Sequence, residues 1–136
     1  MTDRVQQMLE AYPKEVGSID RQKLAECIAA CLECAQTCTA CADACLAEDT
    51  VTELRECIRK NLDCADICAA TGAVLSRQTG TNIETTRALL EACRSACKTC
   101  GDDCASHAQM HEHCGICAEA CRRCEHTCAE LLTAMG

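Results

Sequence analysis

Cysteine is the residue type in this 136-residue chain that could do chemistry, and it recurs at helical spacing. The chain contains 18 cysteines. In the stretch CIAACLECAQTCTACADAC, residues 27–45, successive cysteines lie alternately four and three positions apart. The alternation returns in CRSACKTCGDDC, residues 93–104, and in CGICAEACRRCEHTC, residues 114–128. Because residues three and four apart share one face of an α-helix, each stretch predicts a helix with a face of thiols.

The composition favours helices throughout the chain. Ala, Glu, Arg, Leu and Gln are frequent, the single proline is Pro13, and no segment shows the alternation of a β-strand. Since only a few residues separate the predicted helices, helices adjacent in sequence should run antiparallel. We therefore predict one all-α domain, residues 1–136. It should be an antiparallel up-down-up-down four-helix bundle over residues 18–136, preceded by a short extra N-terminal helix within residues 1–14.

Local capping signals predict where each helix begins. A Ser or Thr hydroxyl can accept a hydrogen bond from a free backbone amide in the first turn, and a Glu three residues later can return one. The predicted starts are Ser18, the capping boxes Thr50–Glu53 and Thr81–Glu84, and the stretch from His111 to Cys114. The N-terminal helix should pack through an apolar stripe of Val5, Met8, Leu9 and Tyr12.

A three-four alternation is the inward-facing seam of a bundle helix, so the cysteines are expected to line the bundle axis as metal ligands. They are Cys27, Cys31, Cys34, Cys38, Cys41 and Cys45, then Cys57, Cys64 and Cys68, then Cys93, Cys97, Cys100 and Cys104, and finally Cys114, Cys117, Cys121, Cys124 and Cys128. Asn61 occupies a seam position where another cysteine would fall. We interpret Asn61 as a hydrogen-bonding register pin, with a weak oxygen contact to metal as the alternative.

Packing and disulfide bonding explain this pattern poorly. A lone buried cysteine behaves as a small hydrophobe, but leucine would fill a whole seam better. Cβ atoms three or four residues apart on a helix are ~5–6 Å apart, whereas a disulfide needs ~3.8 Å. A thioredoxin-like site belongs to a strand-helix junction, and the bacterial ferredoxin motif is absent. Metal binding by thiolates is the interpretation that remains.

Monovalent copper suits a long column of thiols. Zinc sites with four thiolates would each bury a charge of about −2. Soft Cu(I) prefers thiolates and accepts few ligands, so one ion per bridging thiolate would keep the column close to neutral. The column of cysteines thus indicates a protein that stores many Cu(I) ions. A zinc or other soft-metal buffering or delivery protein is the alternative, and a redox carrier is a weaker one.

The three cysteine-rich stretches resemble those of the bacterial copper storage proteins, the Csp family. The resemblance extends from Ser18 to the end of the chain. It implies a four-helix bundle that fills with many Cu(I) ions, and assembly into a homotetramer. It also implies the cytosolic branch of the family, because no export signal is evident.

Charge and composition exclude several other classes. A net charge of −8 and a single aromatic residue, Tyr12, argue against binding to nucleic acid. The N-terminal residues contain no apolar run typical of a signal peptide, and no membrane-spanning segment is expected, so we expect a cytoplasmic protein. No nucleophile with an acid-base partner can be assembled, so we expect no enzyme activity. The sequence identifies no copper chaperone or cuproenzyme as a partner.

The two ends of the predicted bundle differ in chemistry. At one end the seams carry Leu24, Leu75, Leu90 and Leu131, which should close it. At the other end Cys45, Cys57, Cys104 and Cys114 should meet His107, Met110, His111 and His113. Imidazole and thioether bind Cu(I) more weakly than thiolate, so this end is predicted to admit the metal. His126 lies off the seam and should be on the surface.

Overall fold

The computed structural model describes residues 2–136 and contains five α-helices in that range. They are α1 (Thr2–Ala11), α2 (Arg21–Leu46), α3 (Arg55–Leu75), α4 (Ile83–His107) and α5 (Glu112–Met135). No strand occurs among the described residues, which confirms the all-α class. α1 confirms the predicted N-terminal helix, although Met1, part of that prediction, lies outside the described residues.

Helices α2 to α5 form the predicted antiparallel bundle. α2 packs against α3 and α5, and α4 packs against the same two helices, while α1 lies against α2. Thiol contacts between α2 and α5 show the helix directions, since residue numbers rise along one helix as they fall along the other. The facing pairs are Cys27 with Cys128, Cys34 with Cys121, and Cys41 with Cys114.

Two predicted helix starts were wrong by one or two residues, because a carboxylate oxygen in one case and an amide oxygen in the other lies closer to the first turn. Asp20, not Ser18, caps α2, and its Oδ1 accepts hydrogen bonds from two backbone amides at 2.9 and 3.1 Å. The negative charge of Asp20 also suits the positive end of the helix dipole. Asn82, not Thr81, caps α4, and its Oδ1 accepts from the Thr85 amide at 3.0 Å.

The turn before α3 also differs from its prediction, whereas the start of α5 agrees. The predicted capping box at Thr50 is absent, because a short 3₁₀ helix, Val51–Leu54, occupies the turn. The Thr50 hydroxyl is buried without a hydrogen-bond partner. α3 therefore begins only at Arg55. α5 begins at Glu112 with His111 at its N-cap, within the predicted range.

Sulfur takes the place of large apolar side chains in the core. All eighteen cysteines are buried, as the seam prediction required. The four leucines of the predicted closed end are also buried, with 5% exposure or less. In α1, Leu9 is buried and Val5 packs against the core, but Met8 is exposed. The predicted stripe on α1 was therefore wrong at Met8, since α1 contacts the bundle along a narrower face.

Small residues let neighbouring helices approach closely. A Cβ atom added at Gly101 of α4 would lie 3.2 Å from the Cys121 Cβ of α5 and 3.1 Å from the Arg122 guanidinium. A Cβ at Gly72 of α3 would lie 3.1 Å from the Leu32 side chain of α2. These close approaches bring the thiols of adjacent helices toward one another.

Helix α2 qualifies the expectation that no segment could span a membrane. By length and composition alone, α2 could cross a membrane, since the mean hydropathy of its most apolar 18-residue window is 1.2. However, 56% of that window is buried inside the bundle, as is usual for the core helix of a water-soluble protein. We attribute the apolar character of α2 to its six buried cysteines and the alanines beside them.

The buried leucines predict a clear difference between core and surface substitutions. Leu90→Ala, at a fully buried position, should lower the free energy of unfolding by about 2–5 kcal/mol, because it removes buried apolar area and leaves a cavity. Leu46→Ala is the matched control, since Leu46 is exposed and should change stability by less than about 0.5 kcal/mol. Denaturation of the reduced, metal-free protein measures both. Equal effects would contradict a closed leucine end.

Candidate metal centre

The thiols form a continuous column along the bundle axis. Hydrogen-bonding distances between neighbouring Sγ atoms run from 3.6 to 4.0 Å. Cys68 of α3 illustrates the pattern, because it contacts Cys93 and Cys97 of α4 at 3.7 and 3.6 Å and Cys124 of α5 at 3.9 Å. All eighteen are free thiols. Each sulfur is therefore available to a metal ion and has sulfur neighbours from other helices.

Groups of four thiols recur along the column, and neighbouring groups share members. Within each group, all sulfurs lie within 4.8 Å of one another. Four such groups are Cys31, Cys93, Cys124 and Cys128; Cys34, Cys68, Cys97 and Cys124; Cys34, Cys38, Cys64 and Cys121; and Cys38, Cys100, Cys117 and Cys121. A triangle of sulfurs with edges of ~3.9 Å has its centre ~2.25 Å from each, close to the ~2.3 Å of a zinc-thiolate bond. The shared members can bridge adjacent ions.

Hydrogen bonding between thiols moves their pKa values in opposite directions. Hydrogen bonding with Cys124 is the main factor that lowers the pKa of Cys93 and raises that of Cys97. Near the histidine-bearing end, burial is the main factor that raises the pKa of Cys45 to about 12, and the charge of neighbouring thiolates at Cys41 and Cys57 contributes to the same rise. Buried thiolates without a counter-charge are costly, so the metal-free column keeps most of its protons at neutral pH. An incoming metal ion must displace them.

Asn61 connects three of the four bundle helices through hydrogen bonds to thiols. It is fully buried on α3, and its Oδ1 accepts from Cys100 at 3.0 Å, Cys104 at 3.4 Å and Cys117 at 3.2 Å. Its Nδ2 donates to Cys57 Sγ at 3.8 Å. These contacts are those expected of a hydrogen-bonding register pin. An oxygen contact from Asn61 to metal stays a prediction.

His113 is the predicted entrance residue that reaches the thiols. Its Nδ1 lies 3.4 Å from Cys41 Sγ and 3.7 Å from Cys114 Sγ. The ligand atoms of Cys41, Cys45, Cys114 and His113 all lie within 4.8 Å of one another. We call these four residues the mouth group. They form a mixed sulfur and nitrogen site where the thiol column meets the turn between α4 and α5.

Glu48 completes this end of the bundle and was missed by the sequence analysis. Its Oε2 lies 2.9 Å from His111 Nδ1 and 2.8 Å from His113 Nε2. The two imidazole rings are stacked, with 5.6 Å between their centroids. An ionised carboxylate can only accept, so His113 donates through Nε2, and its neutral form turns the Nδ1 lone pair toward the thiols. The available signal was the position of Glu48, three residues after Cys45 at the end of α2.

The structure unites the predicted entrance cluster only in part. His111 and His113 share Glu48, whereas His107 Nε2 lies 3.5 Å from Asp103 Oδ1 on its own helix. Met110 is in the turn with 67% of its surface exposed. The surface position of His126 is confirmed, because its side chain is 71% exposed. A role for His107, His111, His113 and Met110 in metal entrance stays a prediction.

The interaction between His113 and Glu48 depends on pH. Partial burial acts to lower the pKa of His113, but hydrogen bonds with Cys41 and Glu48 outweigh it, so the pKa is raised. The same contact lowers the pKa of Glu48. The His113 contribution to stability is therefore present below the ordinary pKa of ~6.5 and lost as pH rises through the raised value. The Glu48 contribution is present above ~4.3 and lost as pH falls through the lowered value.

Replacing Glu48 by Gln should shift the titration of His113. Gln keeps a hydrogen-bond acceptor but loses the charge that favours the imidazolium, so we expect the pKa of His113 to fall in Glu48→Gln. The ring proton resonances of the reduced, metal-free protein, followed by NMR against pH, measure the change. The resonances of His126, which pairs with Glu130 instead, provide an internal control. An unchanged His113 titration would mean that Glu48 does not act on the ring.

Comparison with known proteins finds close relatives of this bundle. The sequence profile of the family described as "Copper storage protein" (Csp) matches residues 20–133. The structure of Ccsp from Streptomyces lividans loaded with 10 copper equivalents is 58% identical over 96% of this chain and 98% of that chain, with a TM-score of 0.93. A cytosolic copper storage protein from S. lividans with five coppers is 61% identical over 88% of this chain and 100% of that chain, with a TM-score of 0.85. No curated protein sequence matches significantly.

Proposed function

Because this chain belongs to the copper storage protein family, we infer that it stores Cu(I) in the thiol column of its four-helix bundle. The observation that carries this function is the column itself, in which eighteen buried free thiols adjoin one another along the axis. A delivery protein needs one accessible site from which metal exchanges quickly. This chain instead buries many sites, which is the arrangement that storage requires.

Charge balance favours Cu(I) as the stored ion. Each Cu(I) that replaces one thiol proton leaves the column with the same net charge, so filling adds no uncompensated charge to the dry core. A divalent ion held by four thiolates would add about −2 per site to the same space. The shared sulfurs of neighbouring groups also allow each thiolate to bridge two ions.

We propose all eighteen cysteines as the copper ligands. Family membership and composition support three further proposals, which concern the location, the oligomeric state and the lack of catalytic activity. The cytosol is the proposed location, supported by the S. lividans relative described as cytosolic. Assembly into a homotetramer rests on the family resemblance alone. We propose no catalytic activity, which accords with a storage family.

Anaerobic titration of the reduced protein tests the storage function. Cu(I) uptake should approach the number of thiols, roughly 18 ions per chain, whereas four-thiolate zinc sites would saturate near 4 or 5. About one proton should be released per Cu(I) bound, because the metal-free thiols are mostly protonated. Copper is measured against a competing chelator and protons by a pH indicator.

Two results of this titration would refute storage of Cu(I). Saturation at one or two ions would indicate a delivery site, and uptake of zinc to the higher capacity would reassign the metal. Circular dichroism of the metal-free protein serves as a control, because a bundle with an uncharged core should already be helical. A random coil would mean that metal drives folding.

We further propose that copper enters and leaves at the end that carries His107, His111, His113 and Met110. The opposite end is closed by buried leucines, whereas His113 connects the surface to the first thiols at 3.4 and 3.7 Å. Imidazole binds Cu(I) more weakly than thiolate and can pass the ion inward. Met110 is exposed in the turn, which supports its proposed role as the first ligand that an incoming ion meets.

Replacing three histidines together tests this route. The variant His107→Ala, His111→Ala, His113→Ala should load copper, and release it to a chelator, roughly 10-fold more slowly, a barrier increase of about 1.4 kcal/mol. Its final capacity should be nearly unchanged, because the thiols remain. His126→Ala is the matched control, since His126 is exposed and lies off the seam. If Leu131→Ala at the other end alters these rates and the histidine substitutions do not, the entrance is at the leucine end.

A further inference from the structure

We propose that a cavity at the leucine end of the bundle binds a small carboxylate that has an apolar chain, such as a medium-chain fatty acid. The cavity has a volume of about 360 Å³ and is lined in part by Leu24 and Leu75, two of the buried leucines that close this end of the thiol column. It therefore lies at the opposite end of the bundle from the proposed copper entrance. The proposal goes beyond copper storage, because it assigns an organic ligand to residues that are not proposed to bind metal.

Apolar side chains from several segments form most of the cavity wall. The cavity is enclosed by the linker between α1 and α2, the first turn of α2, the end of α3 and the turn that leads into α4. The apolar residues that line it are Val16, Ile19, Leu24, Val74, Leu75 and Ile83. Its volume is at the lower end of the usual range for ligand sites, so it suits a molecule of about ten non-hydrogen atoms. Octanoate has this size.

The charge around the cavity favours an anion, in contrast to the acidic character of the whole chain. Although the net charge is −8, Arg77 is the only residue with a charged side chain among the described residues that line the cavity. Other arginines of the bundle, such as Arg94, Arg122 and Arg123, pair with carboxylates of the protein. Arg77 has no such partner within residues 2–136. Its guanidinium is therefore available to bind the carboxylate of a ligand.

The beginning of α4 adds hydrogen-bond donors beside the same cavity. Asn82 accepts from the Thr85 amide through its side chain at 3.0 Å, and its carbonyl accepts the first helical bond, from Thr86, at 2.9 Å. The amides of Ile83 and Glu84 precede these bonds and are left for an outside acceptor. The Glu84 side chain is exposed and is not part of the cavity wall. Free amides and the helix dipole both favour an anion at this position.

The hydroxyl of Thr86 independently indicates that a polar ligand group belongs in the cavity. Thr86 lines the cavity and is only 7% exposed. The other two threonines buried to a similar degree, Thr71 and Thr127, donate to backbone carbonyl oxygens at 2.7 and 3.1 Å. The Thr86 hydroxyl forms no hydrogen bond with any described residue. Because buried polar groups are nearly always hydrogen-bonded, this hydroxyl requires a partner inside the cavity, and a carboxylate oxygen can accept from it.

The linker between α1 and α2 gives a ligand access to the cavity. Within the described part of the chain, no backbone–backbone hydrogen bond involves residues 13–19. Val16 and Ile19 instead hold this linker against the core through apolar contacts. Segments with so few hydrogen bonds open locally at a low cost in free energy. A ligand that contacts Val16 and Ile19 from inside the cavity should therefore hold the linker closed.

Titration of the reduced, metal-free, full-length protein with octanoate below its micelle-forming concentration tests the site. In ¹H–¹⁵N NMR spectra we expect saturable shifts at the amides of Ile19, Ile83 and Thr86, with a Kd of roughly 0.1–1 mM for a ligand of this size. Octanol has the same chain but no carboxylate, so it should bind at least about 10-fold more weakly. Hydrogen exchange at residues 13–19 should become slower in octanoate, because the bound ligand holds the linker closed.

Two variants and one control assign the shifts to the cavity. Arg77→Gln should weaken octanoate binding about 10-fold and leave octanol binding unchanged, because it removes the charge that the carboxylate recognises. Thr86→Val removes the hydroxyl but keeps the shape, and it should also weaken octanoate binding about 10-fold. Its thermal stability should not fall, because no hydrogen bond within the protein is lost. Arg94→Gln changes an arginine of α4 that pairs with Glu91 and does not line the cavity, so octanoate binding should be unaffected.

Specific outcomes would overturn the carboxylate site. They are the absence of saturable shifts at the cavity in millimolar octanoate, shifts confined to exposed apolar residues elsewhere, or unchanged octanoate binding in Arg77→Gln. Octanol that binds as tightly as octanoate would indicate an apolar cavity that does not recognise a carboxylate. Copper storage is judged separately, since octanoate should leave the Cu(I) capacity unchanged whether or not it binds.

Discussion

The spacing between sulfur atoms is the constraint on which the rest of this protein depends. A cysteine at every third or fourth residue gives each helix a line of thiols, and four antiparallel helices bring those lines to contact distances of 3.6–4.0 Å. That spacing is too long for a disulfide and too short to hold another layer of side chains. Helices can approach this closely because glycines such as Gly72 and Gly101, along with the alanines, occupy their contact faces. Core packing and metal binding therefore both require the helix backbones to lie close together.

Protonation lets the same column serve as a protein core and as a metal store. In its neutral form the thiol is a small apolar group, so the metal-free bundle resembles an ordinary core that happens to contain sulfur. Exchange of a proton for Cu(I) preserves the charge at each step, and the bundle need not admit water or counter-ions as it fills. The histidine-bearing end is different, since Glu48 and two imidazoles supply charge and solvent contact there.

Local periodicity made most of the fold predictable from the sequence, and tertiary contacts account for most of what was missed. The cysteine seams, the four helices and the leucine end follow from spacing within single helices. The helix start at Asp20 was misplaced because Ser18, also a good cap, precedes it by two residues. Glu48 was missed because its partners belong to another helix, 63 and 65 residues further along the chain. His107 was grouped with the other histidines by sequence proximity, although the helix turns it toward Asp103.

Asn61 shows how a polar residue can fit a core whose charge state changes. While the thiols are protonated, its amide oxygen accepts S–H hydrogen bonds from Cys100 and Cys117. Once metal has removed those protons, the same sulfurs can only accept, so the oxygen must either contact the metal or turn away from the thiolates. An amide carries a donor as well as an acceptor, so rotation of the Asn61 side chain can turn Nδ2 toward thiolates. Leucine would offer neither group, and a carboxylate would add charge beside the thiolates. Asparagine is thus suited to both the empty and the filled column. If residue 61 only had to fill space in the core, an apolar side chain would be sufficient.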